Sequence, residues 1–253
     1  MSYYETDRAV SEYLLLHFAA PEQLLPYTFG PSGALHFPVR CVAECLAPTR
    51  LPPGARALDL GCAVGGAAFE LARHCPQVVG IDYSTRLIRA ARDLQQHGAI
   101  TFSYVEEGEL SLPVTAFVPA GIDLQRVAFE EGDAQELRAD LGLFDVVLMA
   151  NLIDRLRDPQ RCLRQLPGLV KPGGQLILTS PYTWSSEFTP RENWLGGFEH
   201  AGKRIKTWDT LQEILCPHFD LTARKDLPFL IREHARKFQW SVAEASTWIR
   251  RAN

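Results

Sequence analysis

From Ala57 to Ser180 the sequence alternates short β-type runs with helical patterns, and that alternation demands parallel strands joined by crossover helices. The first strand reads Arg56–Leu60, with a helix from about Gly65 to His74. A second strand at Val78–Ile81 leads into a helix over Thr85–Gln96. Strands three to five fall at Val127–Glu131, Phe144–Met149 and Gln175–Thr179. Between Gly98 and Gln125 lies a stretch too long for an ordinary connection, with two strand-like runs, which predicts an inserted hairpin or flap near 98–126. Residues 1–50 read as helix, loop and helix: Ser11–Phe18 is an apolar helical run, and Pro26–Pro38 is rich in Pro, Gly and aromatics. They predict an N-terminal helical and aromatic cap. Downstream, Trp208–Leu215 reads as a helix and Phe219–Arg224 and Phe229–Glu233 as two strands. Residues 236–253, with Trp240 and Trp248, read as a C-terminal helix. No linker divides the chain, so one domain over 1–253 is expected: cap 1–50, core 51–235, helix 236–253.

Composition excludes several classes. A net charge of −4 and a pI near 6.0 do not suit a nucleic-acid surface. No apolar run reaches the roughly 18–20 residues that span a bilayer, and the MSYYETDRAV start is unlike a signal peptide. A cytoplasmic protein with no membrane partner is expected. The six cysteines show no CxxC spacing and read as mostly buried thiols, with no metal site expected.

The chemistry gathers where strands end. Leu58-Asp59-Leu60-Gly61-Cys62-Ala63-Val64-Gly65-Gly66 closes an apolar strand and opens a helix. Small residues at 61, 63 and 65 let the backbone approach a ligand, and glycine tolerates the tight turn. Ala63 stands where a dinucleotide fingerprint has its second glycine, which weighs against a nicotinamide oxidoreductase. Asp82 ends the second strand, 17 residues after Gly65, where a carboxylate can accept both hydroxyls of a ribose. Tyr83 beside it can pack on a base.

The D-x-G-x-x-x-G turn resembles motif I of the class I methyltransferases. Asp82, Asp133-Ala134, Phe144–Val147 leading to Asn151, and Lys171-Pro172-Gly173-Gly174 follow in that family's order. The resemblance implies an α/β Rossmann-like fold, with a mostly parallel, doubly wound seven-stranded sheet whose last strand is antiparallel. It implies S-adenosyl-L-methionine as cofactor, with S-adenosyl-L-homocysteine as product. Asp59, Gly61, Cys62, Ala63, Gly65, Asp82, Tyr83, Asp133, Ala134 and Asn151 would form its site. Asp133 would reach the adenine amino group beside the Ala134 amide.

Further stretches resemble the thiohistidine N-methyltransferase family of ovothiol biosynthesis: Tyr3–Thr6, Leu25–Gly30, Phe37–Cys41, Asn151–Leu156, Ser180–Trp184, Phe188–Phe198 and Arg236–Ser241. That resemblance implies methylation of the imidazole π-nitrogen of 5-thiohistidine (4-mercaptohistidine). The chain is expected to act alone at the last step, linked to a separate sulfoxide synthase. Tyr4, Tyr27, Phe29, Tyr182, Trp184 and Trp194 are candidates for flat walls around an imidazole and faces for the cationic methyl. Asn151, Tyr4 and Asp154 are the candidate catalytic residues. Arg40 is a candidate carboxylate partner of cofactor or substrate; Arg155, Arg232 and Lys237 stand behind it. Glu192 or Asp154 would meet the substrate ammonium. Two alternatives stay open: another small-molecule methyltransferase, and a non-catalytic module with this fold.

Overall fold

A computed structural model of the protein describes residues 3–252; the ends of the expected domain, residues 1–2 and 253, lie outside the described residues. In chain order the elements begin with α1 (Asp7–Phe18), α2 (Pro21–Leu24) and α3 (Phe37–Ala43). They continue with β1 (Arg56–Leu60), α4 (Gly66–Leu71), β2 (Gln77–Asp82), α5 (Thr85–His97), β3 (Ala99–Glu107) and β4 (Leu110–Phe117). Then come β5 (Val127–Glu131), β6 (Phe144–Ala150), α6 (Pro159–Gln165) and β7 (Val170–Ser180). The short β8 (Phe198–His200) and β9 (Lys203–Ile205), α7 (Thr207–Leu215), β10 (Phe219–His234) and β11 (Lys237–Arg250) complete the chain.

Seven strands form one sheet in the order β10-β11-β7-β6-β1-β2-β5. Six run in one sense, five of them paired in parallel, and the last strand, β11, runs antiparallel to both its neighbours, as the family resemblance implied. The order reverses between β1 and β6, so a crevice opens outside their carboxyl ends. Strand pleating divides the apolar residues between two layers. Ala57, Val146 and Leu148 face the layer of α3, α4 and α5; Leu58, Leu60, Val147 and Met149 face that of α6 and α7. Helix α5 presents Leu87, Ile88, Ala90, Ala91 and Leu94 to its layer, starts on a Ser84 cap and stops at Gly98 in the left-handed region.

The expected insertion is the antiparallel hairpin β3–β4. It is tied to α1 where Ser11 Oγ donates to the Ser103 carbonyl, and to the β10–β11 turn where the Ala235 amide donates to the Glu106 carbonyl. Two expectations are corrected at the C-terminal end. Phe219–Arg224 and Phe229–Glu233 are one continuous strand, β10, and residues 237–250 form β11 instead of a helix. The Ala-Glu-Ala run of this segment suits a helix. Inserted between β7 and β10, however, its backbone pairs on both edges, and period-two burial puts Ala243 and Ala245 in one layer and Trp248 in the other. No described helix is long and apolar enough to cross a membrane.

Candidate active site

The turn after β1 is built on backbone that glycine adopts readily: φ is +79° at Gly61, +49° at Ala63 and +88° at Gly65. The amides of Gly61 and Cys62 both donate to the Ile81 carbonyl, which fixes the turn against β2. A Cβ on Gly61 would come within 2.9 Å of the Leu152 side chain. One on Gly65 would come within 2.4 Å of the Phe129 ring, so Gly65 serves packing behind the turn and is not on the cavity wall.

Above this turn lies a cavity of about 640 Å3, within the size range of small-molecule sites. Asp59, Gly61, Cys62, Ala63, Asp82, Tyr83, Asp133, Ala134 and Asn151 all line it, so nine of the ten residues grouped by the family resemblance meet at one place. Asp82 accepts the Ala63 amide on Oδ2 and the Ser84 amide on Oδ1, both at 2.9 Å, which fixes its carboxylate plane. Burial holds it above its ordinary value. Asp133 Oδ1 accepts from the Gln135 amide at 2.8 Å. Asp59 is 1% exposed and its Oδ2 has no protein partner; burial, with the Asp82 charge second, pushes its carboxyl up to about 7. A buried, unpartnered carboxylate oxygen, a second carboxylate held in a fixed plane and a turn that excludes side chains fit a cofactor carrying a ribose and a cationic group.

Asn151 directly follows β6 with φ +52°. Its amide donates to Thr179 O and Oγ1, while Thr179 Oγ1 donates to Asn151 Oδ1 at 2.9 Å. The side-chain amide is thereby oriented, and its NH2 is the free end. Tyr4 lines the cavity, with ring centroids 5.9 Å from Phe188 and 6.1 Å from Tyr13, and burial raises its phenol. Arg155 lines it too; its Nη1 donates to Asp154 O and Oδ2 and to Thr183 O, and its Cζ lies 4.9 Å from the Phe188 centroid. Asp154 is fully buried behind Arg155, does not touch the cavity and is raised by burial. It positions Arg155 and cannot meet a substrate ammonium.

Other candidates lie elsewhere. Arg40 is spent on Glu44 and the carbonyls of Gly33 and Pro228, clamping the cap to β10. Arg232, buried, donates to the Gln23 carbonyl and stacks on Tyr104. Tyr27 donates to the Ala235 carbonyl, Phe29 is 87% exposed, and Lys237 pairs with Glu233. Tyr182 and Trp184 line a second cavity of about 580 Å3 with Trp208, Arg224 and Glu244, and Trp194 stacks on Trp184. Glu192 is exposed on a short turn.

Sequence reasoning missed Glu12, Tyr13 and His17, which α1 sets on the cavity wall one turn apart, and Phe188 opposite. The available signal was a polar residue on the otherwise apolar stripe of α1. His17 Nδ1 accepts the Gly66 amide at 3.0 Å, and burial lowers its ring to about 3.

Residues 36–227 match the family model described as a methyltransferase domain. The chain belongs to the methyltransferase domain family. Among curated relatives, the ubiquinone biosynthesis O-methyltransferase of Xanthomonas axonopodis pv. citri (strain 306) is 30% identical over 153 residues, 60% of this chain and 53% of that protein. Its namesake in Coxiella burnetii (strain RSA 493 / Nine Mile phase I) is 27% identical over 127 residues, 50% of this chain and 44% of that protein. The chain thus spans about half the length of the curated relatives it matches. The fold is that of a solved S-adenosylmethionine-dependent methyltransferase from Methanosarcina mazei, with a TM-score of 0.55, 18% identity and 83% of this chain against 100% of that one. The N-methyltransferase NodS from Bradyrhizobium japonicum WM9, solved with S-adenosyl-L-homocysteine, gives 0.53 at 16% identity over 97% and 99%.

Proposed function

We propose that this methyltransferase methylates the imidazole π-nitrogen of 5-thiohistidine (4-mercaptohistidine), yielding ovothiol A. The observation that carries the choice of nucleophile is His17. Its ring is held neutral and weakly basic, with Nδ1 already occupied by the Gly66 amide. An imidazole on the wall that cannot take a proton near neutral pH suits an acceptor with its own lone pair, as a neutral ring nitrogen has. A hydroxyl acceptor must first lose its proton. The resemblance of Tyr3–Thr6, Asn151–Leu156 and Phe188–Phe198 to the thiohistidine family supports the same choice, because Tyr4, Arg155 and Phe188 from those stretches line the cavity.

The residues present fit the donor. Asp82 would hold the ribose hydroxyls, Asp133 with the Ala134 amide the adenine edge, and Asp59 with the Gly61–Ala63 turn the methionine portion. When bound, S-adenosylmethionine supplies a methyl group on a cationic sulfonium. The chain's own part is alignment and exclusion of water. Tyr4, Tyr13 and Phe188 hold a flat ring, Arg155 faces the acceptor's carboxylate, and the Asn151 NH2 donates to an acceptor of the bound pair. The thiolated substrate would come from a separate sulfoxide synthase.

Mass spectrometry of purified protein given S-adenosylmethionine with thiolated histidine, plain histidine or a catechol tests this reading. The expected result is a gain of one methyl on the thiolated amino acid alone, with S-adenosylhomocysteine. Methylation of the catechol alone, or of nothing, would contradict it.

A further inference from the structure

Glu12 stands outside the donor set. It is 5% exposed, on the cavity wall, five residues before His17 on α1. Its Oε1 accepts Arg8 Nε at 2.8 Å and its Oε2 accepts the Tyr3 hydroxyl. Arg8 also reaches Glu233 at 3.1 Å, and Glu233 takes Lys237 Nζ at 2.7 Å and Gln239 Nε2 at 2.8 Å. Gln239 lines the same cavity. Glu12 is therefore held in place from two sides by donors, and each of its oxygens keeps acceptor capacity for one more.

A carboxylate buried on a cavity wall is costly unless positive charge faces it; the half-exposed Arg8 is the one cation on Glu12 among the described residues, and it also reaches Glu233, which has Lys237 besides. The other acids of the wall are otherwise engaged: Asp59, Asp82 and Asp133 lie at the turn and strand ends of the donor set, and Glu187 is exposed. We propose that Glu12 holds a positively charged amine of the methyl acceptor, so that the acceptor class is an amine-bearing small molecule. This rests on the reading that the cavity takes the acceptor beside the donor; with thiolated histidine the group held is the α-ammonium. Glu12 then takes the role expected of Glu192 or Asp154.

The test compares thiolated histidine with its des-amino counterpart, a thiolated imidazole-propionate, using wild type and E12Q, with cofactor affinity measured by calorimetry in each. The expected result is a wild-type preference in kcat/KM of about 10-fold or more for the amine-bearing acceptor, falling to near parity in E12Q at unchanged cofactor Kd. A merely structural Glu12 would lower both acceptors together. That outcome, or a wild type that turns over both equally, overturns the proposal, and the wild-type comparison decides it even if E12Q does not fold. If neither thiolated compound is methylated, the proposed function fails separately. Calorimetry of histidine against imidazole-propionate on the wild type loaded with S-adenosylhomocysteine then decides: tighter binding of histidine by about 10-fold supports the role, and equal or no binding overturns it.

Discussion

His17 Nδ1 accepts the backbone amide of Gly66 at 3.0 Å, joining the N-terminal helix to the first turn of the helix that follows the Gly61–Gly65 turn. The bond requires a neutral ring with its proton on Nε2, which agrees with a ring lowered to about 3 by burial. His17 also lines the cavity. The contact thus closes the cap over the site and fixes the protonation of its wall at the same time.

A first prediction concerns that ring. Replacing His17 by Asn, which keeps an acceptor near the Gly66 amide, should leave the pH profile of kcat unchanged between about pH 6 and pH 9, because the native ring does not titrate there. Stopped assays across that range check it. Loss of a rate-limiting ionisation near pH 6.5 in the variant would show that His17 acts as a base.

Asp59 gives a prediction with a sign. Its carboxyl stands at about 7 against an ordinary 3.8, so the folded chain binds this proton more tightly than the unfolded chain. Its contribution to stability is greatest below the ordinary carboxylate value and declines as pH rises through about 4 to 7. Apo D59N should lack that decline and be more stable than wild type at pH 8, by on the order of 2 kcal/mol. Cofactor affinity in the wild type should rise across the same window as the carboxylate ionises, and this rise should be absent in D59N. Thermal melts and calorimetry at several pH values check both.

Asp154 and Arg155 separate positioning from donor binding. Asp154 is buried and touches Arg155, not the cavity, so D154N should raise the KM of the acceptor about 10-fold while the cofactor Kd stays put. Steady-state kinetics beside calorimetry check it. A loss of cofactor affinity instead would place Arg155 at the donor.

Gly65 tests the loop. A Cβ there meets the Phe129 ring at 2.4 Å on a backbone at φ +88°, so G65A should destabilise the fold by about 2 kcal/mol or more, readable as a lowered midpoint in urea. An unchanged midpoint would mean that the turn repacks freely.

Much of this site was legible in the sequence because its parts are local. Asp59, Gly61, Asp82, Asp133 and Asn151 each sit at the end of an apolar strand, and strand ends on one edge of a parallel sheet converge. What was missed depends on distant contacts. Nothing near His17 in the chain points to Gly66, 49 residues on. The Ala-Glu-Ala run of 243–245 has helical propensity that pairing with β7 and β10 overrides. In Pro181-Tyr182-Thr183-Trp184, Pro181 lines the first cavity, but Tyr182, at φ +54°, and Trp184 turn to the second. Arg40 and Arg232 have the charge for a carboxylate, but backbone carbonyls occupy them.

The most direct test of the proposed reaction is NMR of the product made from thiolated histidine and S-adenosylmethionine carrying a 13C-methyl. A single labelled methyl coupled through nitrogen to the ring carbon that bears the side chain is the predicted result, since only the π-nitrogen adjoins that carbon. A labelled methyl on sulfur or on the other nitrogen, or no labelled product from an enzyme that binds the donor, would contradict it.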